Sequence, residues 1–167
     1  GEDYARWRIR VYFDARINAN AQLGVQIPNQ AKLTYTNEMN LDFHAESDIP
    51  VVYTGGINLL KVAAQDPDLV LSGAVFELYR PATQEEVGTN DPGLKELKGV
   101  VGKVMKVSFF DNAALQGEKV TSVTSDENGK AVFYGLAYGK YFLVETESPP
   151  GYNTLLQAVE LTVDQTS

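Results

Sequence analysis

The chain has no cysteine among its 167 residues, which excludes disulfide bonds and thiolate metal sites. If the protein is extracellular, something other than a disulfide must therefore stabilise it. Histidine occurs once, at His44, so no Cys–His catalytic pair can form. A lone histidine in a polar segment is more often a surface residue than a base. We expect neither a cofactor nor a metal site.

Positive charge and long apolar runs are also scarce. Fourteen Lys and Arg against 22 Asp and Glu give a formal net charge of -8. Nucleic acids and anionic membranes both attract clustered Lys and Arg, so neither is an expected partner. No segment approaches the roughly 20 apolar residues of a membrane span. Residues 1–10 carry no signal-peptide pattern, so a secreted form would have its targeting segments removed or outside this chain.

The apolar residues that are present alternate with polar ones over short distances. Hydrophobic residues make up 44% of the chain, enough to predict a folded protein. Residues 7–13 place Trp, Ile, Val and Phe at every second position, which indicates a half-buried strand. Many short strands separated by Gly and Pro predict an all-β sandwich or open barrel. Further candidate strands are residues 31–36, 51–54, 57–63, 74–79, 104–110, 119–124, 131–134, 140–147 and 156–163.

Three segments are typical of turns or loops. Residues 126–129, reading DENG, predict a turn in which the glycine takes a positive φ. Residues 84–101 are interrupted by Gly and Pro, which favours a long loop with one turn of helix. Residues 41–50 are polar and acidic, and they predict a loop that leads to a module boundary near residues 54–56. Residues 55–167 suffice for one sandwich, whereas residues 1–54 are interpreted as the last strands of a preceding module.

Catalytic signatures do not occur in the sequence. There is no nucleophile elbow and no Gly-rich phosphate loop. Glu145 and Glu147, two apart on one strand, should face the same way, and a glycosidase pair would need a partner across a cleft. We therefore expect that the chain is not an enzyme acting on an external substrate.

Two charged residues occupy positions that alternation assigns to the core. Lys61 shares a face with Ile57 and Leu59, and Glu145 shares one with Tyr141 and Leu143. Lys and Glu are rarely buried unless they are paired. The alternative interpretation of Lys61 is an ordinary edge position or a side chain that snorkels to water.

Residues 141–152, YFLVETESPPGY, resemble the E-box of Gram-positive pilins, Tyr-x-Leu-x-Glu-Thr-x-x-Pro-x-Gly-Tyr. Residues 60–62 and 71–79 are similar to the opening of the same module, Lys-Val followed by Leu-x-Gly-Ala-x-Phe-x-Leu. Residues 124–136, TSDENGKAVFYGL, resemble its middle hairpin. In this order, the three motifs resemble the collagen-adhesin B-type (CnaB) domain of sortase-assembled pilins. Residues 14–24, 29–37 and 51–54 resemble, more loosely, the end of the module that precedes it in backbone pilins.

The resemblance implies tandem immunoglobulin-like β-sandwich modules, the first only partly present and the second lacking its last strand. In the family a buried Lys bonds covalently to an Asn side chain with the help of a Glu. By position, Lys61 is the amine, Glu145 is the catalytic acid that shuttles protons, and Asn29 matches the acceptor of the first module. The partners of Lys61 and Asn29 are expected outside this chain. An ordinary turn residue after Pro28 is the alternative for Asn29.

The function implied by the resemblance is structural. It is that of a shaft subunit of an extracellular, cell-wall-anchored pilus, stabilised by self-formed isopeptide bonds and supporting adhesion. Its partners would be other pilin copies, a pilus-specific sortase, and a host matrix or glycan. No Leu-Pro-x-Thr-Gly or Tyr-Pro-Lys motif occurs, which leaves the subunit type and the polymerising lysine open. Alternatives are a ligand-binding adhesin or ancillary pilin that binds through residues 80–102, and an accessory domain of a secreted hydrolase.

Overall fold

The computed structural model describes residues 54–164 in full and, before them, four short backbone segments. The predicted strand at residues 7–13 and the candidate acceptor Asn29 lie outside the described residues. In chain order the elements are β1 (Ile27–Pro28), β2 (Lys32–Thr36), β3 (Asp42–Glu46), β4 (Val51–Val52), β5 (Thr54–Leu60), β6 (Val62–Ala63), β7 (Asp66–Val70), β8 (Val75–Pro81), α1 (Gln84–Thr89), β9 (Val104–Lys106), β10 (Ser122–Thr124), β11 (Lys130–Ala137), β12 (Gly139–Glu147) and β13 (Val159–Val163).

Among the residues described before residue 54, four strands form two antiparallel pairs, β1 with β4 and β2 with β3. The prediction of a loop over residues 41–50 is wrong, because β3 pairs with β2 from Asp42 to Glu46. Strand pairing uses backbone groups and needs no apolar side chain, so polar composition did not reveal this strand.

The remaining strands form a sandwich around one main core. One sheet has the order β10–β8–β12–β13, with β9 beside β10 on the same edge of β8, and every pair is antiparallel. The facing sheet consists of β5 and β11. The core between them contains Phe76 and Leu78 of β8, Leu143 of β12 and Phe133 of β11. The predicted all-β sandwich fold class is confirmed.

Strand β12 is covered on both faces, because Phe142 points away from the main core into a second apolar cluster with Tyr79 and Val104. Leu97 and Val100, from the segment between β8 and β9, pack on this cluster. The segment therefore forms a third layer over the outer face of the sheet. This layer explains why alternation alone does not describe β12.

The segment between β8 and β9, residues 82–103, is called the covering segment. It begins with the predicted short helix, α1, which starts at a capping box formed by Thr83 and Glu86. The helix ends at Asn90, whose left-handed conformation (φ 53°) turns the chain. Lys95 and Val104 then exchange two backbone hydrogen bonds of 2.9 Å. The expectation of a long loop with one helical turn is thus confirmed for the helix, while the rest of the segment is tied to the sheet.

The span of residues 57–63, predicted as one strand, is interrupted. Strand β5 ends at Leu60 and β6 begins at Val62, so Lys61 lies between two strands. Strand β7 was not predicted, because all five of its residues are exposed and show no alternation of burial. Within the described part of the chain, no helix has the length and apolar character needed to cross a bilayer.

We expect Phe133→Ala to lower the free energy of unfolding by about 3–5 kcal/mol, because its ring is fully buried and lies 4.6 Å from the ring of Phe109. Leu156→Ala is the control, since Leu156 is 83% exposed and its loss should change stability by less than about 0.5 kcal/mol. Urea unfolding measures both. Equal effects would contradict the assignment of the core.

Candidate functional site

Glu145 is buried, and its side chain lies on the core-facing side of β12. The alternation that points Tyr141 and Leu143 into the main core also directs Glu145 there, and its side chain has 0% exposure. A carboxylate removed from water is costly unless it is paired and hydrogen-bonded. The environment of Glu145 must therefore supply partners.

A β-bulge separates Glu145 from Glu147. The register between β12 and β8 shifts between these residues, so that Glu145 pairs with Phe76 while Glu147 pairs with Val75. Glu145 is buried and Glu147 is exposed. The expectation that the two carboxylates face the same way is wrong, since an extra residue in one strand reverses the alternation.

Lys61 supplies one of the partners of Glu145. Its Nζ lies 2.8 Å from Oε1 of Glu145, and its side chain is 14% exposed. The backbone N–H of Lys61 donates to the carbonyl of Gly129 at 2.7 Å, and its carbonyl accepts from the N–H of Leu71 at 2.9 Å. The lysine is thus held on both sides, with its amine against a carboxylate instead of in solvent.

The other partner of Glu145 is a backbone amide. The N–H of Leu155 donates to Oε2 of Glu145 at 2.9 Å. Among the described residues, no donor lies at a hydrogen-bonding angle to Oε1. The contact of Oε1 with the Lys61 amine is therefore an ion pair without a hydrogen bond. The two carboxylate oxygens therefore have different roles: Oε2 is anchored by the segment after β12, and Oε1 faces the lysine.

An open groove of about 570 Å³ leads to Lys61. The β6–β7 hairpin forms one side of the groove, and residues 151–155 contribute Tyr152, Asn153 and Leu155 on the other. Lys61 is consequently reachable from solvent, while Glu145 lies behind it. Asn153 is a carboxamide that lines the same groove. Asn112, in contrast, is hydrogen-bonded within its own turn to Gln116.

The pair can move a proton between Lys61 Nζ and Glu145 Oε1 across 2.8 Å. Transfer of a proton from the amine to the carboxylate would leave a neutral amine beside a protonated carboxyl. A neutral amine is a nucleophile towards a carbonyl carbon, and a protonated carboxyl is a general acid.

Among the described residues, no three His, Cys, Asp or Glu side chains are placed to hold a metal ion.

A second polar cluster lies beneath the covering segment and was not predicted. Glu77 accepts a hydrogen bond from the Tyr79 hydroxyl and forms an ion pair with Lys106. The ammonium groups of Lys95 and Lys106 lie 5.9 and 5.8 Å from the centre of the Tyr79 ring. The only signal in the sequence was the spacing of Glu77 and Tyr79, which places them on one face of a strand.

The pKa values of Glu77 and Tyr79 are both shifted by burial and by the hydrogen-bond partners of these side chains. Burial by itself would raise the pKa of Glu77, but the hydrogen bonds from Lys106 and Tyr79 outweigh it and hold that pKa below its usual value. Burial, together with the hydrogen bond to the Glu77 carboxylate, raises the pKa of Tyr79 well above its usual value. The cluster therefore contains an ionised Glu77 and a neutral Tyr79 at pH 7.

The fold is that of a prealbumin-like β-sandwich, and the Lys61–Glu145 pair lies inside it. Residues 55–167 match the family described as SpaA, prealbumin-like fold domain. The match covers more than half of the chain, and the chain belongs to this family. Comparison with curated proteins found no matching sequence.

Solved pilin structures share this architecture. The chain is 25% identical to the 35 kDa C-terminal fragment of the major pilin GBS80 of Streptococcus agalactiae, with a TM-score of 0.52, covering 90% of this chain and 49% of that one. Domains D2 and D3 of the major pilin SpaD from Corynebacterium diphtheriae are 19% identical, with a TM-score of 0.51, covering 81% of this chain and 47% of that one. At that identity the likeness to SpaD shows the fold alone. The chain spans about half the length of these pilin fragments.

We expect acid to weaken the fold partly through Glu77. A carboxyl whose pKa is lowered by folding contributes stability above its unfolded pKa, near 4.5, and this contribution is lost as the pH falls through the folded pKa. Glu77→Gln should therefore flatten the decline in unfolding free energy below pH 4.5, as measured by urea unfolding at several pH values. Lys106→Met should flatten it too, because it removes a group that holds the pKa down. A Glu77→Gln profile parallel to that of the parent chain would contradict this role.

We expect Lys61 and Glu145 to be strongly coupled in a double-mutant cycle. Removing one member of a buried pair costs about 3–5 kcal/mol, whereas replacing both by apolar residues costs much less. Lys61→Met and Glu145→Leu should therefore be non-additive by more than about 1 kcal/mol in urea unfolding of the 167-residue chain. The exposed pair of Lys140 and Glu160, also 2.8 Å apart, is the control and should couple by about 0–1 kcal/mol. Additive effects at Lys61 and Glu145 would exclude a tight pair.

Proposed function

We propose that the chain is a structural subunit of an extracellular, cell-wall-anchored pilus shaft on a Gram-positive bacterium, stabilised by an isopeptide bond that it forms itself. The observation that carries this proposal is the Lys61–Glu145 pair, with 2.8 Å between amine and carboxylate inside a sandwich of the SpaA family. The likeness to a fragment described as the major pilin GBS80 supports the pilus assignment. The chain itself is not an enzyme acting on other molecules.

The proposed chemistry uses only the pair and a carboxamide. Glu145 takes a proton from the Lys61 ammonium, and the neutral amine attacks the carbonyl carbon of an Asn side chain. The Glu145 carboxyl gives this proton to the carboxamide nitrogen, the C–N bond of the carboxamide breaks, and ammonia leaves. The Glu145 carboxylate then takes the second proton from the Lys61 nitrogen, which becomes a neutral amide. Tyr141 and Leu143, on the same core-facing side of β12, keep water away from the Glu145 carboxyl, whose side chain is 0% exposed.

The E-box resemblance gains a physical interpretation in this scheme. Residues 141–152 place Glu145 in the core, turn the chain through the buried Pro149, and return it so that Leu155 donates to Glu145. We propose residues 55–167 as one CnaB-type module and residues 1–54 as the end of a preceding module. Asn29 remains the proposed acceptor of that first module.

A mechanical role follows from the place of the proposed bond. Lys61 joins β5 to β6 at one end of the sandwich, so a covalent bond there would carry force past the hydrogen-bonded strand pairs. Such a bond would also serve a chain without cysteine, because reduction does not break it. Pilin copies and a pilus-specific sortase are the proposed partners, with host matrix or glycan as a further one.

The adhesin alternative depended on residues 80–102 as a free binding loop. Leu97 and Val100 of this segment instead cover Tyr79 and Phe142, which supports a structural role for it. Its exposed tip at Val101 is the part that a ligand could contact. The shaft assignment is therefore favoured.

We expect the full-length native protein to weigh about 17 Da less than its sequence for each bond formed, because one ammonia leaves. Intact-mass spectrometry measures this loss, and peptide mapping locates it at Lys61 and identifies the acceptor, whether Asn153 or a segment outside this chain. Glu145→Ala should abolish the loss, whereas Glu147→Ala, on the exposed side of the bulge, should not. An unmodified mass with tryptic cleavage after Lys61 would refute the proposal.

A further inference from the structure

The backbone of Lys61 is held by a turn that lies far from it in sequence. Residues 125–129 connect β10 to β11, and the carbonyl of Gly129 accepts the Lys61 N–H at 2.7 Å. The neighbouring pair of Leu60 and Lys130 belongs to the β5–β11 ladder. This turn therefore fixes the backbone of Lys61 at the point where the chain leaves the β5–β11 ladder.

The turn is itself fixed by the Asp126 side chain. Its Oδ1 accepts from the N–H of Asn128 at 2.9 Å and from the N–H of Lys130 at 2.8 Å. The N–H of Gly129 donates to the Asp126 carbonyl at 2.9 Å. An aspartate that binds backbone amides two and four residues ahead makes a rigid turn, so the Gly129 carbonyl has a defined direction.

Glycine is required at position 129 for two reasons. Its φ of +73° lies in the left-handed region, and a Cβ there would lie 2.6 Å from the Lys61 carbonyl oxygen and 3.0 Å from Cβ of Val70. The first of these contacts is with backbone, which cannot rotate away. A side chain at position 129 would therefore displace the backbone of Lys61.

We propose that Gly129, oriented by Asp126, is a positioning residue for Lys61: the turn holds the lysine backbone where Nζ meets Oε1 of Glu145. This inference rests on the proposed isopeptide chemistry. Reactions between held groups depend steeply on placement, and a displacement of about 1 Å can cost up to about a hundredfold in rate. Gly129 acts through Lys61 and touches no reacting atom.

The test compares Gly129→Ala with Gly117→Ala in the full-length protein. Gly117 also has a positive φ, +90°, but an added Cβ there meets nothing within 4 Å, so it matches the backbone strain without the displacement. We expect Gly129→Ala to form the Lys61 bond about tenfold more slowly or worse, followed by mass spectrometry over time, and Gly117→Ala to match the parent protein. Equal rates in the two variants would overturn the inference.

A second pair of variants covers the case in which Gly129→Ala does not fold. Asp126→Asn keeps a side-chain oxygen that can accept the two amide bonds, whereas Asp126→Leu removes it. We expect slower bond formation in Asp126→Leu and near-parent rates in Asp126→Asn, with circular dichroism confirming that both are folded. Equal rates in these two folded variants would also overturn the inference.

Failure of the proposed function would be seen separately, as a parent protein that forms no bond. In that case the placement of Lys61 is measured by its acylation with an amine-reactive ester, located by peptide mapping. Gly129→Ala should then label Lys61 faster than Gly117→Ala, because the displaced amine loses its contact with Glu145. Identical labelling would overturn the positioning inference whether or not the bond forms.

Discussion

A carboxylate in an apolar core is stable only beside groups that compensate its charge, and the arrangement around Glu145 follows from this constraint. Lys61 approaches one oxygen, and the amide of Leu155 binds the other. To bring these partners together, the chain leaves the β5 ladder at Lys61 and folds back after β12. The bulge that follows Glu145 turns Glu147 towards water, so that Glu145 is the buried one of these two carboxylates.

The outer face of the sheet that contains β8 and β12 also carries apolar side chains that must be shielded from water. Phe142 and Tyr79 point away from the main core and would be exposed in a two-layer sandwich. The segment between β8 and β9 covers them with Leu97 and Val100, and Glu77 and Lys106 lie beside this cover as an ion pair. An insertion whose composition suggests a loop therefore contributes a third layer to the fold.

In the proposed function as a pilus-shaft subunit, these features share a mechanical role. A sandwich of the SpaA family without cysteine gains a covalent staple if its buried lysine reacts, and the groove beside Lys61 gives a carboxamide access to it. The turn of residues 125–129 would then be part of the reactive arrangement, although its residues do not touch the reacting atoms. Placement of the amine would come from backbone hydrogen bonds, which are more rigid than a long side chain.

Alternation of apolar and polar residues was enough to predict the all-β class, most strands of residues 54–164, and the inward direction of Glu145. These features depend on the local period of a strand, which is written in the order of the residues. The tertiary structure alone decided that β3 and β7 are strands, that a bulge turns Glu147 outward, and that Leu155 and Gly129 hold the two members of the pair. Each of these depends on backbone groups that meet across the fold, and a backbone amide or carbonyl has the same chemistry in every residue except proline, so no side-chain pattern could reveal it.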